Sequence, residues 1–312
     1  MTEILDIHPA SPEELAQAHR NVFDIWSKGL PLDEHLRTRL DSPKHKLAQW
    51  YVGTLAGDVV VSLGAYPLMF HYRGELVPGF SIGSVHTVRE HRGKGFAQQL
   101  IAAVEQRNKA QGSQLALLYS DIDPHYYGRL GYLRCPSLEG WADLDSFTPG
   151  DHSGYRLEEI SGPERWRELA RLYDTYHGGM PLSIARAPDY WQALFARAPE
   201  DRFFGLLDRR DGLQGYVRLA ATGAKWRITD YALADQSLEL AESLYSAASG
   251  LAQREGAKSL GGWLPDHPSA LQFFELTPRK TEITMLKSLD AARPLDDEML
   301  ELASRFCEID HV

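Results

Sequence analysis

Arg92-Gly93-Lys94-Gly95-Phe96-Ala97 lies between a strand-like run ending at Val88 and a helical pattern beginning near Ala97. Glycines at such a junction permit backbone conformations and close approaches that side chains block. They also leave several N–H groups pointing into one concavity. With a helix dipole behind them, those donors make a site for a pyrophosphate. A glycine pair that merely turned the chain would leave Arg89, Arg92 and Lys94 unexplained. Together these three supply positive charge where anionic oxygens would sit. The spacing matches neither G-x-x-x-x-G-K-[ST] nor G-x-G-x-x-G, which argues against ATP and NAD as ligands.

Working outward, Ala97, Leu100, Ile101 and Val104 mark one face of a helix, and Gly112 stops it. Leu115 to Tyr119 reads as a buried strand. Upstream, a helix pattern over Pro12 to Phe23 precedes strand patterns at Gln49 to Thr54 and Asp58 to Phe70. A turn at Tyr72 to Glu75 leads to a further strand, Phe80 to Val88.

Pro149 to Gly154 is a cluster of turn formers and marks a domain boundary. Beyond it the same order of elements returns. Tyr155 to Ile160 reads as a strand, and Pro163 to His177 and Ala187 to Ala196 as helices. Arg202 to Leu207, Gly215 to Ala221 and Lys225 to Ala232 read as strands. Leu238 to Glu255 is a helix, Ser259 to Leu264 a strand, and the segment from Asp290 an acidic helix and tail. Two similar halves predict a duplicated α/β (α+β) architecture: residues 1–150, 151–290 and a C-terminal segment 291–312.

The 312 residues suit two domains, and 43% hydrophobic with 24% charged residues is the composition of a soluble globular protein. No apolar run approaches the roughly 20 residues that cross a bilayer, so no membrane partner is expected. The acidic N-terminus lacks the basic and apolar regions of a signal peptide, which points to the cytoplasm. Cys135 and Cys307 lack any CxxC spacing, so neither a disulfide framework nor a metal site is expected. A formal net charge of -10 argues against nucleic acid and is compatible with a cationic substrate.

The stretch Ser84 to Ala97, Ser-Val-His-Thr-Val-Arg-Glu-His-Arg-Gly-Lys-Gly-Phe-Ala, resembles the signature of the GNAT superfamily of N-acetyltransferases. A second motif follows at the proper distance: Tyr126-Tyr127-Gly128-Arg129-Leu130-Gly131-Tyr132 is similar to that superfamily's tyrosine-containing helix and turn. The resemblance implies tandem GNAT folds, each a mixed twisted sheet flanked by helices, with acetyl-coenzyme A as cosubstrate. Within the superfamily the tandem halves resemble the Eis-like acetyltransferases. Those carry a sterol-carrier-like domain after the second GNAT fold, whereas this sequence ends soon after it. A homo-oligomer stays open as an assembly state.

The resemblance also assigns roles. Cofactor contacts fall on Val85, His86 and Thr87 of the strand, on Arg92, Gly93, Lys94, Gly95, Phe96 and Ala97 of the loop, and on Ser120 after the next strand. Tyr127 matches the general acid; a phenol with a reference pKa of about 10 carries its proton at neutral pH. Asp121, Asp123, His125 and His86 stand as alternatives for the base. In Eis-like enzymes the terminal carboxylate enters the active site, which implies a catalytic role for Val312. A frayed polar terminus is the competing expectation for the tail.

At the matching junction the second half reads Tyr231 to Ser237, with no glycine and with Asp235 where phosphate would approach. Phe274 stands where the acid would be and has no proton to give. The second half therefore reads as a degenerate copy. The expected activity is acetyl transfer to an amine of a small molecule or peptide. The alternatives are a coenzyme A-binding sensor or scaffold and a mycothiol-synthase-like enzyme, although in the latter family the catalytic loop lies in the second half.

Overall fold

The computed structural model describes residues 5–148 and 154–311. Pro149 to Ser153, at the expected boundary, and the terminal Val312 lie outside the described residues. The first half supplies strands β1 (Asp6–Pro9), β2 (Gln49–Leu55), β3 (Asp58–Tyr72), β4 (Glu75–Thr87), β5 (Leu115–Ser120), β6 (Leu133–Arg134) and β7 (Leu138–Asp143). The second supplies β8 (Tyr155–Ile160), β9 (Leu182–Ala185), β10 (Arg202–Asp208), β11 (Leu213–Thr222), β12 (Lys225–Leu233), β13 (Ser259–Gly262), β14 (Glu275–Pro278) and β15 (Ile283–Ser288).

Local chemistry sets the hairpins. Ala56-Gly57 joins β2 to β3, and Arg73-Gly74 joins β3 to β4. All four residues have positive φ, from 49° to 92°. That pair of dihedrals makes the tight two-residue turn whose twist suits antiparallel strands. The helix Phe96–Ala110 then carries the chain back, so that β5 pairs parallel to β4.

The strands form two sheets on one plan. The first runs β1-β2-β3-β4-β5-β15-β6, with β9 added against β3; the second runs β8-β10-β11-β12-β13-β7-β14. The halves therefore exchange strands across the expected boundary. β7 of the first half sits beside β13, and β15 of the second sits beside β5. Each sheet is completed by the other half of the chain, and the halves cannot be divided at residue 150 without opening both.

Alternation along β5 divides the core. Ala116 and Leu118 face Phe96, Leu100, Ile101 and Val104 of the helix, while Leu115, Leu117 and Tyr119 join a larger core shared with the second half. Tyr173, Tyr176 and Trp191 lie deep in that shared core. Among the described residues no helix is long and apolar enough to cross a membrane.

β15 is pinned by Lys287. Its ammonium donates to Glu105 Oε2 at 2.5 Å and to the Leu130 carbonyl at 2.7 Å. Glu105 is only 9% exposed, and among the described residues its other oxygen accepts no hydrogen bond. Lys287→Ala strands that carboxylate, and a loss of about 2 kcal/mol is expected in chemical denaturation. An unchanged midpoint removes Lys287 from the account of how the exchanged strand is held.

Candidate active site

β4 and β5 pair from Gly79–Leu115 to Ile82–Leu118 and then part. On its other edge β4 is bulged: Ser62 faces His86 and Gly64 faces Gly83, with Ser84 held at φ 54°. A bulge bends its strand and re-aims the local backbone. Residues 83–87 thus lie along a cleft of about 820 Å³, with Leu118, Tyr119 and Asp121 among the residues across from them.

Gly93 and Gly95 close the same cleft at φ 78° and 80°, conformations that favour glycine. A Cβ on Gly93 would meet nothing within 4 Å, and one on Gly95 only the Gln98 side chain at 3.9 Å. Protein packing therefore does not require these glycines; the turn itself does, and a closely approaching ligand benefits. The first helical bond runs from Gln99 N–H to the Gly95 carbonyl, and no side chain caps this end. The amides of the first turn precede that bond and face the junction. Arg92 is fixed there by its Nε, which donates to the Thr87 carbonyl at 3.0 Å.

Among the cofactor residues expected from the sequence, Val85, His86, Thr87, Arg92, Gly93, Gly95, Phe96 and Ala97 line this one cleft. Lys94 does not line it; its ammonium sits 5.8 Å from the Phe96 ring centroid and 3.5 Å from His91 Nδ1. Ser120 does not line it either. Its hydroxyl turns back and donates to the Ile122 carbonyl at 2.8 Å, closing the turn after β5 rather than facing a ligand. His86 lines the cleft while only 8% exposed, its ring edge toward Trp26. Burial, and then the Arg92 charge, keep its pKa below the usual imidazole value, so it is neutral at pH 7.

Tyr127 stands on a short helix, His125–Gly128, and lines the cleft with Tyr126. Gly131, at φ 89°, turns the chain directly after it. The Tyr127 ring packs edge-on against Tyr126 at 5.1 Å and Tyr132 at 6.2 Å. Burial is the main cause that raises its pKa, followed by Tyr126 and Asp121, so the phenol keeps its proton at neutral pH. Asp121 also lines the cleft. Asp123 and His125 instead pair with each other at 2.8 Å in solvent, outside the lining.

The tail is anchored through residue 311. Arg186 donates to both oxygens of Asp230, at 2.8 and 3.0 Å, and to both of Asp310, at 3.0 and 2.7 Å. Arg227 holds Glu308 at 2.6 Å, and Arg197 donates to the Ile309 carbonyl at 2.8 Å. His311 is thereby placed in the lining of the cleft, its ring edge-on to Tyr119 with the centroids 5.1 Å apart. The expectation of a frayed terminus does not hold for residues 307–311. Val312, the proposed catalytic terminus, lies outside the described residues.

The second sheet has the same fork and has filled it. β12 and β13 part after Ile228–Gly262, and just beyond stands Asp230, occupied by Arg186 together with the tail. At the following helix Asp235 accepts from Ser237 N–H, and the Ser237 hydroxyl accepts from Leu240 N–H. The donors that would take an anion are thus met by the chain's own side chains. Phe274 is buried against Tyr245.

Residues 6–135 match the family model of the acetyltransferase (GNAT) domain. The N-terminal half is a GNAT domain. No curated protein matches the chain by sequence. Among solved structures, it is similar to a conserved probable N-acyltransferase of Enterococcus faecalis V583, with a TM-score of 0.74 and 13% identity over 92% of this chain and 73% of that one. Eis1 from Mycobacterium abscessus matches with a TM-score of 0.63 and 18% identity over 92% and 74%. A tandem GNAT protein from the clavulanic acid biosynthesis pathway matches with a TM-score of 0.55 and 15% identity over 94% and 100%. At these identities the likeness is one of fold, and it extends the tandem GNAT architecture over both sheets.

GNAT domains use an acyl-coenzyme A cosubstrate, and the glycine junction, the open first turn of the helix and the forked strands fit such a group. Among the described residues no group of three or more His, Cys, Asp or Glu side chains could hold a metal ion. One part of the cleft was not legible in the sequence. Trp26, Arg39, Lys44 and His45 reach it from short helices at Phe23–Trp26, Leu32–Asp41 and Pro43–Lys46, and His311 arrives from the far end of the chain. No motif marks those positions; only the spacing of His35 and Arg39 on one helix hints at a shared face.

Proposed function

We propose that the protein transfers the acetyl group of acetyl-coenzyme A to a primary amine. The observation that carries the reading is the meeting, in one cleft, of the forked strand, the glycine junction and a buried, protonated Tyr127. The cosubstrate supplies an activated thioester. The amides around Gly93 and Gly95, with Arg92, take its diphosphate. Main-chain N–H groups of Val85 and Thr87 face the pantetheine and the thioester oxygen, where fixed donors favour developing negative charge. The amine nitrogen bonds to the carbonyl carbon, the carbon–sulfur bond breaks, and Tyr127 gives its proton to the sulfur. Of the bases considered from the sequence, His86 and Asp121 line the cleft and can receive the proton that leaves the amine.

Calorimetry with coenzyme A is expected to give a 1:1 complex, and Gly95→Val to weaken it at least about tenfold. A branched residue at φ 80° is strained, and its side chain enters the ligand's approach. No affinity in the folded wild-type protein overturns the reading. Binding without thiol release across a panel of amines favours a coenzyme A sensor instead.

A further inference from the structure

The acceptor end of the cleft is cationic, against the chain's net charge of -10. Arg39 and Lys44 both line it. Among the described residues neither meets a carboxylate. The Arg39 guanidinium lies 5.0 Å from the Trp26 ring centroid, with Nη1 at 3.4 Å from His45 Nε2. Two further cations stand behind them. Arg197 is spent on the carbonyls of Ile309 and His311. Arg279 is buried over the Trp263 ring and bonded to the Thr284 hydroxyl.

The acidic side chains that adjoin this set have other contacts. Glu282 faces the His311 ring at 3.7 Å, and Asp121 accepts from the Glu282 N–H at 3.2 Å. His45 and His311 add no charge at pH 7, because burial chiefly holds their pKa at about 4 and about 3. Burial first, then Arg197 and Arg39, lower the Lys44 pKa to about 7 against an opposing pull from Glu282, so an anion bound beside it completes its charge. Cations held this close, with no carboxylate partner among the described residues, gain from any anion placed among them.

We infer that the acceptor amine carries an anionic group, a carboxylate or phosphate, which Arg39 and Lys44 receive at the end of the cleft away from Gly93 and Gly95. The inference rests on the acetyltransferase reading and deepens it by naming the acceptor class. Arg39 suits this role because a guanidinium on an aromatic face keeps its N–H edge free for a planar oxyanion. Trp26, Ile25 and Ile122 offer apolar walls to the body of the same molecule. A polycationic acceptor, which the overall acidity favours, would meet like charge at this end.

The test is a graded series of acceptors offered to protein saturated with coenzyme A or its acetyl ester. Glycine, β-alanine, 4-aminobutyrate, 5-aminopentanoate and 6-aminohexanoate are each compared with the corresponding carboxamide, which keeps the shape and removes the charge. O-phosphoethanolamine against ethanolamine separates phosphate from carboxylate, and spermidine is the cationic control. At one or more chain lengths the anionic member is expected to bind and to turn over about tenfold better than its neutral twin, as expected for one charge-assisted contact. Arg39→Gln and Lys44→Gln are expected to bring each pair within about threefold. Neutral amines or spermidine equal to or better than every anionic member, in binding and in turnover, overturns the inference; that result also follows if the cluster serves only a group of the chain itself. Failure to bind coenzyme A is a separate result and overturns the reading beneath it.

Discussion

Tyr127→Phe is expected to lower the turnover number at least about a hundredfold while leaving coenzyme A affinity within about twofold. The substitution removes one oxygen and keeps the ring, so the edge-on contacts with Tyr126 and Tyr132 persist. The proton for the departing sulfur is lost. General acid catalysis by a positioned side chain contributes on the order of 10²–10⁴-fold. Because burial raises the phenol's pKa, the wild-type rate is expected to show no alkaline loss from this group below about pH 10. Tyr126, half-exposed beside Arg129, serves as the control, and Tyr126→Phe is expected to change turnover less than about threefold. Steady-state thiol release with calorimetry on both variants decides it. A Tyr127→Phe enzyme at the wild-type rate removes this residue from the acid's role.

The legible parts of this molecule were local. Helix Phe96–Ala110 announces itself through Leu100, Ile101 and Val104, and the junction at Gly93 and Gly95 lies within a few residues of the strand it follows. The hairpin at Arg73-Gly74 is fixed by backbone conformations that its own residues select. The unread parts are contacts between distant segments. β15 is six residues long, and its register against β5 joins Ile283 to Ser120, a pairing that no property of either segment specifies. No motif singles out Arg186, Asp230 or Asp310; together their side chains are fully buried and tie the tail to the second sheet's fork. The same distance hides the part of the cleft lined by both Lys44 and His311, which come from opposite ends of the chain. Ser120 fails for the opposite reason: its position matches a pattern, while the turn after β5 claims its hydroxyl.

Acid is expected to destabilise the fold steeply from about pH 6.5 downward, through imidazoles that are buried neutral. Burial is the largest cause in each case: His19 and His311 are held at about 3, and His45 and His177 at about 4. His19 and His177 are each 2% exposed. His19 stacks on His45 and meets Trp50 edge-on, so a charge on either ring faces the other and Arg39 as well. His177 lies against Tyr173 with Nε2 at 3.1 Å from the Tyr231 carbonyl. The sign follows from proton counts. An unfolded histidine binds its proton near pH 6.5, whereas these folded ones remain neutral until far lower. Unfolding therefore takes up protons between those limits, and stability that is full above pH 7 falls as pH drops below 6.5. One unit below that point each such group costs about 1.4 kcal/mol, and the four together about 5.6 kcal/mol. A typical domain has about 5–15 kcal/mol to lose. Glu282 and Asp310, whose carboxyls burial pushes up, take protons in the folded state and oppose the trend at lower pH. The range from 7.5 to 5.5 is accordingly where the histidines dominate. Denaturant midpoints measured across it should fall, and His19→Gln should lower the slope by about one proton; a flat midpoint would show that these rings are solvated and can ionise in place.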